Sequence, residues 1–233
     1  MSEPPTSGLA APLADVRARI AQAAGAAGRD PSGIGLLAVR KGVEAGVLRQ
    51  AAALGLGDFG ESYLQEALPK MDALADLPLT WHFIGPLQSN KTRMVAERFA
   101  WVHGVDRLKL AERLSAQRPP GLPPLQVCLQ VNVSGEASKG GVQEAQLGPL
   151  AQAVARLPRL QLRGLMAIPA PAPDLAAQRM PFARLRALLE DLNAAGFALD
   201  TLSMGMSADL EAAILEGATW VRVGTALFGV RKK

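Results

Sequence analysis

Short apolar runs alternate along the chain with longer stretches in which apolar positions recur every three or four residues. The runs at 33–40, 58–61, 80–85, 101–105, 125–133, 160–168, 202–207 and 220–223 have the length and composition of strands. Between them, 144–157 and 178–195 read most clearly as helices. In the second, Phe182, Leu185, Leu188, Leu189 and Leu192 share a face, while Arg184, Arg186, Glu190 and Asp191 fall elsewhere. Eight strands alternating with helices predict an α/β protein, a single (β/α)8 TIM barrel. The chain after the eighth run, 226–233, is too short for a good final helix. The stretch 9–28, with Leu13, Val16, Ile20 and Ala24 on one face, predicts an extra N-terminal helix that closes the ring in its place. Proline-rich stretches at 118–124 and 169–173 read as rigid loops at strand ends, because the repeat continues across both. One barrel domain, 9–233, is therefore expected after a flexible start, 1–8.

Composition narrows the class. A 49% hydrophobic share beside 20% charged residues is that of a soluble globular chain, and no run approaches the roughly 18 apolar residues a membrane span needs. The start of the chain lacks the basic and apolar parts of a secretory signal, so a cytoplasmic location is expected, with no membrane partner. The net charge of +4 does not point to nucleic acid. Arginines such as Arg179, Arg184 and Arg186 are spread along helical segments, and 4% aromatic residues leave little stacking surface. The single cysteine, Cys128, excludes an internal disulfide and sits in an apolar run as a packed, inert thiol. His82 and His103 lie in apolar runs without acids or thiols at ligand spacing, so they read as interior residues and no metal site is expected.

Barrel sites form at the C-terminal ends of the strands, where the chemistry-bearing residues of this chain gather. Lys41 follows the first strand. With its stem against apolar walls its amine suits a Schiff base, although a solvated loop lysine would look the same by itself. Leu202-Ser203-Met204-Gly205-Met206-Ser207 ends the seventh strand just before a helix with acidic residues in its first turn. Ser207 is thereby placed at a helix N-cap, as an anion contact or a plain cap. After the eighth strand, Gly224 would let the backbone approach a phosphate, and Thr225 would add an N–H and a hydroxyl. Arg222 shares a strand face with Gly224 and cannot shed its charge, so it needs either a core carboxylate or a neutral acceptor such as a pyridine nitrogen. An amine, an anion cradle and such a donor suggest an aldehyde cofactor carrying phosphate, pyridoxal 5′-phosphate (PLP). Met166, Met204 and Met206 would pack against its ring or simply fill the barrel.

These residues sit in longer motifs: Ala38-Val39-Arg40-Lys41, Phe59-Gly60-Glu61-Ser62-Tyr63, Trp81-His82-Phe83-Ile84-Gly85-Pro86, His103-Gly104-Val105-Asp106, Gln130-Val131-Asn132-Val133-Ser134-Gly135, and Val221-Arg222-Val223-Gly224-Thr225. In order and content the chain from Leu36 to Arg231 resembles the pyridoxal phosphate homeostasis proteins, the YggS/PROSC family. The resemblance implies a barrel like the N-terminal domain of bacterial alanine racemase. It further implies Lys41 as the Schiff-base lysine, Ser207, Gly224 and Thr225 on the phosphate, and Arg222 facing the pyridine nitrogen. The chain departs from the family pattern in Arg40-Lys41-Gly42-Val43-Glu44, where Ser followed by Lys-Thr-Lys-Pro is usual. It departs again at Ser62, where an Asn near the cofactor is usual. Lys139, in a glycine-rich loop, is a second amine that could accept PLP transiently.

Three functions share this constellation. A carrier or buffer holds PLP and supplies it to apo-enzymes, a racemase-like enzyme needs an acid/base opposite the lysine, and a lysine aldolase would use the phosphate turns without PLP. In alanine racemase the opposing group is a tyrosine from a second domain. Here the one tyrosine, Tyr63, lies just after the second strand. The expected protein is therefore a monomeric PLP carrier with no catalytic residues.

Overall fold

Eight parallel strands pair in chain order and the last closes on the first. The computed structural model describes residues 7–39, 42–134 and 140–229. The strands are β1 (Gly35–Val39), β2 (Asp58–Glu61), β3 (Thr80–Phe83), β4 (Trp101–Val105), β5 (Leu125–Gln130), β6 (Leu160–Met166), β7 (Thr201–Met206) and β8 (Trp220–Val223). Three match the expected runs; the rest differ at their ends for local reasons. β1 starts late because Pro31–Gly33 forms a 3-10 turn, capped by the Asp30 carboxylate accepting the Ser32 N–H at 2.8 Å. β5 ends at Gln130, beyond which Val131 makes only an isolated bridge to Val142. Arg40, the expected end of the first strand, lies outside the described residues.

The helices are α1 (Ser7–Ala26), α2 (Ala45–Ala53), α3 (Leu64–Ala73), α4 (Thr92–Arg98), α5 (Leu108–Gln117), α6 (Glu144–Ala155), α7 (Leu175–Ala194), α8 (Leu210–Leu215) and α9 (Thr225–Phe228). α7 begins three residues before the expected start, where the Asp174 carboxylate caps it through the Ala177 N–H at 2.8 Å. Its Phe182, Leu185, Leu188 and Leu192 are buried as the periodicity predicts, each contributing roughly 2 kcal/mol by leaving water. A final helix does follow β8, but α9 is a single turn. α1 packs against both α8 and α9 and buries Leu13, Val16, Ile20 and Ala24. α1 thus completes the outer layer beside α8 and α9, as its apolar face predicts.

Two cores result from strand alternation. Between sheet and helices lie side chains such as Phe59, Phe83, Leu129, Met204 and Val221. Inside the barrel, Cys128 and Met166 pack with Trp101, and the His82 ring stacks on Trp101 with 5.5 Å between centroids and 9° between planes. Trp220 stands 4.9 Å from His82 on another side. Gly35 makes room for it, because a Cβ there would come within 2.3 Å of the Trp220 ring. Cys128 is fully buried, and burial pushes its thiol up to about 12, so it is inert as expected.

Candidate functional site

The turns after β7 and β8 meet at the C-terminal mouth of the barrel. The Ser207 hydroxyl oxygen accepts the N–H groups of both Gly224 and Ala226, each at 3.3 Å. Ser207 is not the N-cap that its place before a helix suggested. A three-residue turn intervenes, Asp209 holds the cap position, and the Asp209 carboxylate takes the Met206 N–H at 2.5 Å. The serine instead bridges the two turns, pointing its hydroxyl at the donors a phosphate would use. From below, Arg19 of α1 donates to the Ser207 carbonyl at 2.9 Å and grips Glu211 of α8 at 2.6 and 2.8 Å. Gly224 is required by a close approach: a Cβ there would lie 2.5 Å from the carbonyl oxygen of Val39, the last residue of β1. The turn after β8 is therefore pressed against the end of β1. Lys41 itself, and Lys139, lie outside the described residues.

Arg222 enters the barrel interior from β8 and is buried. Its Nη1 donates to the Ser203 carbonyl at 2.7 Å and to the Ser203 hydroxyl at 2.9 Å, and its Nη2 donates to the Ala167 carbonyl at 2.9 Å. These three bonds leave two of a guanidinium's five N–H groups unengaged by described residues, and no described carboxylate pairs with it. Burial brings its pKa down to about 10, against the opposing charge of Asp209, so it remains a cation at neutral pH. Of the two partners considered for Arg222, the core carboxylate is thus not found among the described residues, and the spare donors suit a neutral acceptor.

Sequence reasoning placed His82 and His103 inside the barrel but missed what they do there. His82 Nε2 is 3.1 Å from Asp58, His82 Nδ1 is 3.0 Å from His103 Nε2, and His103 Nδ1 is 2.7 Å from the Ser203 hydroxyl. Their shared inward phase on adjacent strands was the available signal. Burial lowers both histidines, that of His103 well below its ordinary value with the charges of His82 and Arg222 adding to the effect, while the Asp58 carboxylate opposes it at His82. Both imidazoles are therefore neutral in the fold yet take up protons in the unfolded chain below about pH 6.5. The unfolded state binds more protons in that range, so stability present at pH 7 is lost on acidification, at up to about 1.4 kcal/mol per pH unit per histidine. Urea unfolding of the apo-protein between pH 7 and 5.5 checks this; stability that rises as the pH falls would contradict neutral imidazoles.

The remaining expected residues divide. Ser62 follows β2, half-buried, with its carbonyl close against Gly85. Thr225, the first residue of α9, and Met206, the last of β7, are exposed at the mouth. Met166 is fully buried with Cys128 and Trp101, and so fills the interior. Met204 faces outward into the layer between sheet and helices. Tyr63 is 48% exposed before α3. Among the described residues no cluster of His, Cys, Asp or Glu could hold a metal, and no helix is long and apolar enough to cross a membrane.

Residues 13–232 match the family model described as alanine racemase, N-terminal domain, and the closed barrel with its paired turns is a protein of that class. A pyridoxal phosphate homeostasis protein of Pseudomonas aeruginosa is 68% identical over 225 residues, 97% of this chain and 96% of its own length. Another, of Escherichia coli K12, is 51% identical over 94% of this chain and 95% of its own. The chain belongs to the pyridoxal phosphate homeostasis protein family. The structure of PipY from Synechococcus elongatus PCC7942 with PLP bound is 40% identical, with a TM-score of 0.80 over 90% of this chain and 100% of that one. Alanine racemase from Bacillus anthracis, at 18% identity and a TM-score of 0.69, shares the fold over 95% of this chain and 57% of its own.

Proposed function

We infer that this chain binds PLP at the C-terminal mouth of its barrel and acts in PLP homeostasis, holding the cofactor and supplying it to apo-enzymes. The observation that carries the reading is Arg222: a buried cation with spare donors and no carboxylate partner among the described residues, beside two turns whose N–H groups converge on the Ser207 hydroxyl. The relatives' names and PLP-bound PipY support the same cofactor. When bound, PLP supplies an aldehyde that couples to an amine and a pyridine ring able to withdraw electrons. Lys41 offers the amine, Ser207, Gly224 and Thr225 hold the phosphate, and Arg222 donates to the ring nitrogen. Met206 and Ser62 line the mouth, while Met166 supports the ring end from inside. A guanidinium can only donate, so it leaves that nitrogen unprotonated and the ring a weak electron sink. The reading takes 9–233 as one PLP-binding domain, acting as a cytoplasmic monomer.

Loaded protein incubated with a PLP-free aminotransferase is expected to restore that enzyme's activity. The same preparation is expected to show no racemase, transaminase or decarboxylase turnover on common amino acids. Tyr63→Phe is assayed alongside, since Tyr63 is the one phenol available to oppose the lysine. Turnover in the natural protein that collapses in Tyr63→Phe would make this chain an enzyme instead.

A further inference from the structure

The contacts of Arg222 continue through the barrel. Asp58 stands at the first position of β2, with its side chain 34% exposed, and lines a cavity of about 370 Å³ at the N-terminal end with Arg17, Pro31, Ser32 and Leu36. From there, hydrogen bonds connect Asp58 to His82, His103, Ser203 and Arg222 without a gap wider than 3.1 Å. Every link between the two end groups is buried.

The chemistry of the ends gives this chain one direction. An ionised Asp58 can only accept, so His82 must carry its proton on Nε2 and accept at Nδ1. His103 must then donate from Nε2 and accept at Nδ1, and the short contact there makes the Ser203 hydroxyl the donor. The Ser203 oxygen is left as an acceptor for the Arg222 Nη1 hydrogen. At the other end Arg222 can only donate, so the two acceptor-only and donor-only termini agree on every intervening proton. Each neutral ring has its tautomer set by the next, as happens when an outer partner orients a metal-ligating histidine.

We propose that Ser203, His103, His82 and Asp58 are positioning residues for Arg222, a directed chain by which a carboxylate at the N-terminal mouth fixes the guanidinium that meets the cofactor ring at the opposite mouth. The proposal rests on the reading of Arg222 as donor to the ring nitrogen. Its consequence is that the ring end is held from across the barrel by a group that touches neither cofactor nor solvent at the site. Asp58→Asn retains the shape but supplies an amide that can donate or accept, so the chain loses its fixed direction. Ser203→Ala cuts it beside the arginine.

The test uses the PLP-loaded protein and three readouts: PLP dissociation constant, visible absorption maximum, and visible circular dichroism of the bound cofactor, which reports how its ring is held. Arg222→Gln is the reference. Asp58→Asn and Ser203→Ala are each expected to weaken PLP about three- to tenfold and to shift the visible circular dichroism in the sense of Arg222→Gln, by a smaller amount. Ser203→Thr, which keeps the hydroxyl, is expected to restore both. Because Asp58 sits at the partly exposed end, its variant gives a reading even if Ser203→Ala fails to fold. Natural affinity and circular dichroism in Asp58→Asn, while Arg222→Gln changes both, would overturn the chain. No change in Arg222→Gln itself would overturn the reading of Arg222 and the proposal with it.

Discussion

Lys41→Ala is expected to abolish covalent retention of PLP and the visible absorption of the loaded protein, leaving the apo-protein's melting temperature essentially unchanged. The residues on either side make the position specific. Val39 ends β1 against Gly224, and the Gly42 N–H donates to the Glu66 carboxylate at 2.9 Å, so the described residues that flank position 41 in sequence are both anchored. A lysine at a strand end contributes its amine rather than core packing, which is why the change should spare the fold. Borohydride reduction of the loaded protein followed by peptide mapping locates the label; a label on Lys139 would refute the assignment. A Ser207→Ala, Thr225→Ala double variant provides the contrast. It is expected to keep the covalent link but bind PLP about tenfold more weakly, because only donors to the anion are removed.

Lys70→Met is expected to destabilise the apo-protein by about 3–5 kcal/mol. Glu61 ends β2 and Lys70 lies on α3, the two meet at 2.6 Å, and both side chains are almost wholly buried. Burial raises the Glu61 carboxyl above its ordinary range even with the lysine opposing that shift, so removing the lysine leaves a poorly solvated carboxylate with no compensation. Adding Glu61→Gln to Lys70→Met should recover a large part of the loss, since an amide costs far less to bury than a charge. Urea unfolding of the three proteins decides it. A loss below about 1 kcal/mol in the single variant would mean that the pair behaves like a surface ion pair.

The period of apolar residues was enough to read the barrel. Eight strands, the long helix over Phe182 to Leu192 and the role of α1 all follow from which positions repeat, because each element has one buried face. Strand ends were less legible. They depend on features with no period, such as the Asp30 cap before β1 and the solitary bridge at Val131. The same limit explains Ser207. Its place before a helix suggested a cap, but a three-residue turn sends its hydroxyl across to Gly224 and Ala226, a contact between turns 17 and 19 residues apart. His82, His103 and Ser203 are harder still, since strand alternation tells which side chains face inward and not which of them touch. Only closure of the barrel brings a β3 residue into line with a β7 residue.

The placement of α1 governs when the site can exist. Arg19 bonds Ser207 and Glu211, partners 188 and 192 residues further along the chain, and α1 rests on α8 and α9. α1 therefore finds its place only once the turn after β7 and helices α8 and α9 are present. Contacts of such separation carry the largest loop-closure cost and form late in folding. Until they do, the turn bearing Ser207 lacks its support from below, and β8 has no strand on which to close unless β1 is already in place. The meeting of the two turns at Ser207 is consequently supported by contacts among the most widely separated of the described elements. A chain stopped before β7 would lack both the Ser207 turn and the Gly224 turn, so a cofactor site built on them would require these late contacts to be in place.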